Sequence, residues 1–234
     1  MAPIDVDNPE TWPPQIHYMA SAWAKQCAGR TRYTNDLPLA LELEAPFRQE
    51  LAGHLVRAYH YTKLLPHEKQ MIQRQGLRML TASLLEERME AGVKAGKISS
   101  DEARCFRDSH VFAAGEEQHR EGQVCLVLSQ RLFDRDPGAC LPLLESWGGE
   151  CLYMSSLSVP FRSRLQEIGS PTRVTALLAL EDSTKHQIYP SLHKLFVGSL
   201  LGLDDLGADV FYRAPIPPEH IEHIEEVDNI GQYR

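Results

Sequence analysis

Gln123-Val-Cys-Leu-Val-Leu-Ser129 is a short apolar run closed at both ends by polar side chains. Its brevity and its lack of alternation are the pattern of a β-strand buried on both faces. Glu150-Cys-Leu-Tyr-Met154 and the stretch from Arg173 to Leu180 carry the same pattern. Val124 to Leu128, Leu152 to Met154 and Val174 to Leu180 are therefore expected as interior strands. The segments between them repeat their apolar residues every three or four positions, which is helical spacing. The fold class that follows is α+β, a small mixed or split β-sheet with flanking helices.

On the N-terminal side, Ala58-Tyr-His-Tyr-Thr62 is rich in strand-favouring side chains. Pro46 opens a helix whose apolar positions are Phe47, Leu51, Leu55 and Ala58. Pro66 opens another, with Met71 and Ile72 on its buried side, Gly76 as its C-cap and an extended course from Leu77 to Leu80. A long amphipathic helix from Thr81, followed by Ser99-Ser-Asp-Glu102 as a helix start, predicts an inserted helical hairpin ending near Val111. Gly115 to Gly122 reads as a polar loop.

Towards the C-terminus, Ala139 to Trp147, Phe161 to Ile168 and about His186 to Leu201 read as helices. Pro142 and Pro190 restrict where two of them begin. Asp209 to Tyr212 and Glu219 to Val227 read as strands. Residues 1–45, with five prolines, form an irregular extension around a short helix near Ile16 to Cys27, and residues 46–234 a single mixed α/β domain.

The chain has 234 residues, 43% hydrophobic and 24% charged, shares that support one buried core. Its 32 acidic against 24 basic side chains, with no Lys/Arg tract, argue against a protein that lives on nucleic-acid phosphates. Arg30 with Arg32, or Arg57, Lys63, Arg74 and Arg78, remain candidates for a local anion site. Cys27, Cys105, Cys125, Cys140 and Cys151 have no C-x-x-C spacing and read as reduced and metal-free. No apolar run approaches membrane-span length and no signal-peptide pattern opens the chain, so a protein without a membrane segment is expected, cytoplasmic or exported without a cleaved signal.

Three constellations carry possible chemistry. In His60-Tyr61-Thr62, an imidazole and a hydroxyl two residues apart on a strand supply donors and acceptors for a polar ligand. In Trp147-Gly-Gly-Glu150-Cys-Leu-Tyr153, paired glycines permit close backbone approach, Glu150 can bond a ribose and Tyr153 can stack. In Pro217-Pro-Glu219-His220-Ile-Glu222-His223, crowded carboxylates can stabilise a cationic transition state. His220 and His223 lack the spacing partners of a zinc site. Each constellation also has a bland reading: a satisfied strand histidine, an ordinary helix stop and a solvated acidic element.

In this order, a strand His with Thr, then a Tyr, then a terminal acidic element resembles the H-Y-E ordering of ADP-ribosyltransferases of the diphtheria-toxin and poly-ADP-ribose polymerase type. The chain is also similar, from about residue 55 to 215, to bacterial proteins of unassigned activity that share the H-Y-T and W-G-G-E-x-x-Y segments. The first resemblance implies that His60 and Thr62 bind NAD, that Tyr153 stacks on nicotinamide, and that Glu219 or Glu222 takes the acidic role, with Glu150 a further carboxylate. There is no Q-x-E or E-x-E motif, which leaves the acid unassigned. The implied activity is transfer of ADP-ribose to a protein or nucleic-acid acceptor, or hydrolysis of NAD, with His60 and Tyr153 facing one cleft. The competing reading is a non-enzymatic binding or regulatory protein, such as an immunity or adaptor partner.

Overall fold

The computed structural model describes residues 2–27, 37, 41–115, 121–131, 133, 137–203 and 209–228. In chain order these form α1 (Pro14–Cys27), α2 (Leu41–Glu50), β1 (Leu55–Leu64), α3 (Pro66–Gln75), α4 (Ala82–Lys94), α5 (Ser100–Ser109), β2 (Val124–Val127) and α6 (Pro137–Glu145). The series continues with α7 (Glu150–Tyr153), α8 (Arg162–Glu167), β3 (Ser170–Ala179), β4 (His186–Tyr189), α9 (Leu192–Leu201), β5 (Asp209–Tyr212) and β6 (Ile221–Glu226).

The six strands make one antiparallel sheet in the order β4-β5-β2-β1-β3-β6. Tyr59 lies opposite Val127 between β1 and β2, and His186 opposite Tyr212 between β4 and β5. The expected mixed or split sheet is thus corrected to a single antiparallel one. A long helical connection is required between parallel neighbours, but it does not forbid antiparallel ones, and the helices between β1 and β2 are such a case.

The chain divides into two compact units. The first comprises Met1–His60, Cys125–Pro137 and Thr175–Arg213. Its α9 is buried from Leu192 to Ser199, the mark of a helix enclosed on all sides. Trp12 meets Phe196 of α9 edge-on at 4.9 Å, and Phe47 of α2 stacks on the same ring at 5.6 Å. The N-terminal stretch is held to the start of β1: Ile4 N–H donates to Leu55 O, Arg57 N–H to Ile4 O, and the Arg57 side chain to Asp5 at 2.9 Å.

The second unit comprises Tyr61–Val124, Gly138–Val174 and Ala214–Arg234. Its helical hairpin, α4 and α5, starts where the sequence says. Thr81 caps α4 through Leu84 N–H, while Ser99 and Glu102 form a reciprocal capping box on α5. The hairpin packs on a core of Leu65, Leu85, Met89, Phe106, Trp147 and Leu165. After α3, Gly76 adopts φ +78°, and a Cβ there would lie 1.8 Å from Ile216 O. That close approach carries the Leu77–Ile216 bridge.

Five other expectations change. Glu150–Tyr153 is helical, not a strand. Gly148 and Gly149, at φ +85° and +59°, turn the chain so that Leu152 and Tyr153 N–H both donate to Gly149 O. His186 to Leu201 splits into β4 and α9, because the residue before Pro190 is driven to extended backbone and proline has no N–H for a helix. Pro46 lies inside α2 rather than opening a helix, and Leu55 and Ala58 belong to β1. On α3 the buried residue is Glu68, with Met71 and Ile72 only half-buried. Val124–Val127 is a strand as expected, but its burial alternates, with Cys125 and Val127 half-exposed. The five cysteines are free. Among the described residues no helix is long and apolar enough to cross a membrane.

Candidate functional site

His60 closes the first unit and Thr62 stands two residues on along β1, so strand alternation sets them on one face. Tyr59 and Tyr61 are 2% and 4% exposed, and Thr62 is buried, whereas His60 is half-buried. The His60 Nδ1 lies 2.8 Å from Cys125 O on β2. A carbonyl can only accept, so Nδ1 is the donor in this contact.

In the second unit, the W-G-G-E-x-x-Y segment combines core residues with half-buried ones. Trp147 is buried and donates Nε1–H to Glu68 Oε2 at 3.0 Å. Gly148 faces Leu152, whose Cδ1 would stand 2.2 Å from a Cβ, and Gly149 has the left-handed backbone that turns into α7. Cys151 and Leu152 are core. Glu150 and Tyr153, three residues apart on one helix face, remain half-buried beside them. Met154, next in sequence, is exposed, as are Leu157 and Val159 in the 3-10 turn Ser156–Phe161.

Glu219 is exposed in the 3-10 turn Pro218–His220, and Glu222 is half-buried near the start of β6. Two other carboxylates of this acidic element are structural. Glu225 pairs with Arg173 at 2.8 Å and Glu226 with Lys69 at 2.5 Å. Among the described residues no group of three or more His, Cys, Asp or Glu is arranged to hold a metal ion.

The proposed anion group is largely engaged inside the protein. Arg57 bonds Asp5, Arg78 bonds Glu87 and the buried Lys63 ammonium donates to the carbonyls of Glu145 and Gln166. Arg74 is exposed. Arg30 and Arg32 lie outside the described residues.

Several polar clusters had no signature in the sequence. In the first unit, His193 Nδ1 lies 2.6 Å from Glu44 Oε1, and Ser191 Oγ lies 3.3 Å from the same nitrogen. That is not a nucleophile triad, because a nitrogen that donates to Glu44 cannot also take the serine proton. Burial works to raise the Glu44 pKa, but the His193 bonds and Arg48 outweigh it and hold the carboxyl below its ordinary value. Asp7 accepts from Ser129 Oγ and Gln130 N–H, both at 2.7 Å; there burial wins, and its pKa is raised.

In the second unit, Glu68 accepts from Leu65 N–H, Trp147 Nε1–H and Arg88 Nε, the last at 2.5 Å, with the Arg88 guanidinium 5.2 Å over the Trp147 ring. His110, just past α5, accepts Ala113 N–H on Nδ1 at 3.1 Å. Its signal in the sequence is no more than its place at the end of a helix.

Compared with protein-family models, with curated proteins and with solved structures, the chain has no match.

Proposed function

We propose that the chain consumes NAD as an ADP-ribosyltransferase-like enzyme. The observation that carries this reading is His60 on β1. It is the one partly exposed residue in the run Tyr59 to Lys63, and its ring is oriented by the Cys125 carbonyl at Nδ1. Imidazole and ribose hydroxyl are matched hydrogen-bonding groups.

The resemblance assigns the nicotinamide-side ribose to His60 and Thr62 and the nicotinamide ring to Tyr153, and each assignment is tested by itself. Of Glu150, Glu219 and Glu222, one carboxylate stabilises the oxocarbenium-like ribose carbon as the glycosidic C–N bond breaks. The bonding pair leaves on nicotinamide nitrogen. A nucleophile of a protein or nucleic-acid acceptor, or water, then attacks the carbon and gives up its proton.

Thermal unfolding with and without NAD tests the reading. NAD at a hundred times its dissociation constant stabilises the fold by about 2.7 kcal/mol. His60→Ala and Tyr153→Ala, each still folded, lose that stabilisation together with nicotinamide release. Wild-type behaviour in both variants, or no NAD effect on the wild type, leaves the binding-protein reading ahead. The observation favouring that alternative is the exposed apolar group Met154, Leu157 and Val159, a feature that marks partner contacts when contiguous.

A further inference from the structure

We propose that His186 is the trigger of an acid-sensitive latch in the first unit: a proton taken up by its ring expels the Arg48 guanidinium and releases the edge strand β4 from β5. The proposal is independent of the NAD reading and uses none of its residues.

His186 is 4% exposed, and neither of its ring nitrogens is well served. Nε2 lies 3.1 Å from Leu180 O and also 3.1 Å from Arg48 Nη1 of α2, while Nδ1 is buried with no hydrogen-bond partner among the described residues. A carbonyl accepts and a guanidinium donates, so one nitrogen cannot satisfy both. With its proton on Nδ1, the neutral ring accepts from Arg48, and Arg48 Nη1 also reaches Leu180 O at 3.5 Å. Only Nδ1–H is then unpaired. The imidazolium carries a proton on both nitrogens. Its Nε2–H keeps Leu180 O, but Arg48 loses its acceptor and faces a like charge, and Nδ1–H stays buried without one. Arg48 has an exit: its side chain is 25% exposed, and Glu44, one turn earlier on α2, lies 3.8 Å away.

Charged and titratable groups face the ring from several sides. Arg48 and Glu44 come from α2, with His193 of α9 bonded to Glu44, and Asp182, paired with Lys185, comes from the turn before β4. Tyr212 stands opposite on β5, and burial raises its pKa, so it stays neutral. Burial first, and Arg48 with it, hold the His186 pKa below 6.5 against the pull of Leu180 O, Asp182 and Glu44. The stabilisation given by the neutral ring is therefore complete above 6.5 and is lost as pH falls from there through the folded value. The element able to respond is β4. It is four residues long, begins at His186 itself and lies at the end of the sheet with β5 as its one neighbour. Opening such a strand exposes the ring at less cost than unfolding the unit.

The experiment follows hydrogen exchange of the β4 and β5 amides, corrected for the intrinsic effect of pH, at about pH 7.5 and about pH 5.5, one unit either side of the ordinary imidazole value. Wild type, His186→Gln and Arg48→Met are compared, with the α9 amides as internal reference. Wild-type protection of β4 should fall about tenfold relative to α9, the limit for one proton taken up over a pH unit. Glutamine offers a donor to Leu180 O and an acceptor to Arg48 at any pH, so His186→Gln should change less than about twofold. In Arg48→Met the His186 titration midpoint, followed by NMR, should move up towards 6.5 and the fall in protection should shrink. No fall in wild type, an equal fall in His186→Gln, or a fall shared by α9, which marks global unfolding, each overturns the proposal. If His186→Gln does not fold, Arg48→Met decides: a raised midpoint with a smaller fall supports the latch, and an unchanged midpoint overturns it.

Discussion

Replacing Glu68 by alanine removes the single acceptor shared by three donors in the second unit. The Glu68 and Arg88 side chains are only 6% and 17% exposed, so solvent screens their 2.5 Å ion pair weakly. Glu68→Ala leaves a buried guanidinium without its counter-charge, a defect that costs about 3–5 kcal/mol. It also leaves Leu65 N–H and Trp147 Nε1–H without their acceptor, each a penalty of about 1–3 kcal/mol when unrelieved. These terms overlap because the same cavity admits water to all three groups, so the expected total is about 4 kcal/mol rather than their sum.

A control separates the charge from the packing. In Glu68→Leu with Arg88→Met, the stranded charge disappears along with its partner, and the double variant should recover at least half of the loss. Urea denaturation followed by tryptophan emission and circular dichroism measures both. The pH dependence has a defined sign. Burial opposes ionisation of Glu68, but the Arg88 charge and the three hydrogen bonds win and hold its pKa below 4.5. Its stabilisation is therefore complete above the unfolded value and is lost as pH falls through the folded one, so wild type and Glu68→Ala converge in acid. A loss below about 1 kcal/mol at pH 7, or a difference independent of pH, would refute the reasoning.

Asp7 should behave with the opposite sign: its pKa is raised by burial, so its contribution is present in acid and lost as pH rises through the folded value, and the difference between wild type and Asp7→Asn should run against that of Glu68 in the same denaturation series. Gly149→Ala, with open space around its Cβ but φ +59°, should cost about 1–2 kcal/mol. Gly76→Ala, which meets Ile216 O at 1.8 Å, should cost more, and the ranking of their melting temperatures checks this. Thiol titration of native protein should find Cys105 and Cys125 reacting first, with buried Cys27, Cys140 and Cys151 reacting only on unfolding.

The parts of the fold legible in the sequence are those fixed by local chemistry. Thr81 and Ser99 cap helices because a side-chain oxygen three residues before a backbone N–H is a local fact. The Tyr59–Thr62 part of β1 and the Gly76 stop follow from side-chain shape and from backbone freedom at one position. The antiparallel order of the sheet was not legible, since pairing is a long-range outcome. The buried clusters were hidden for the same reason: His193 meets Glu44 across 149 positions and Trp147 meets Glu68 across 79. No short motif can announce such a pair.

The misread strand at Glu150–Met154 shows how an error in local structure bears on a site. A short buried apolar run suits a strand or a helical turn equally, and the glycines before it decide between them through their conformation rather than their identity. On a strand, Glu150 and Tyr153, an odd number of residues apart, point to opposite faces. On α7 the same spacing sets them side by side. The correction therefore separates Tyr153 from the strand platform implied by the resemblance, yet joins it to a carboxylate that the resemblance left in doubt. If α7 is the ligand-bearing element, Glu150 rather than Glu219 or Glu222 is the acid to test first. Glu150→Gln should then abolish nicotinamide release while leaving NAD affinity within about threefold, because a carboxylate that acts on the developing positive charge matters more in the transition state than in the ground state. Equal activity in Glu150→Gln, with loss in Glu219→Gln or Glu222→Gln, would return the acidic role to the C-terminal element.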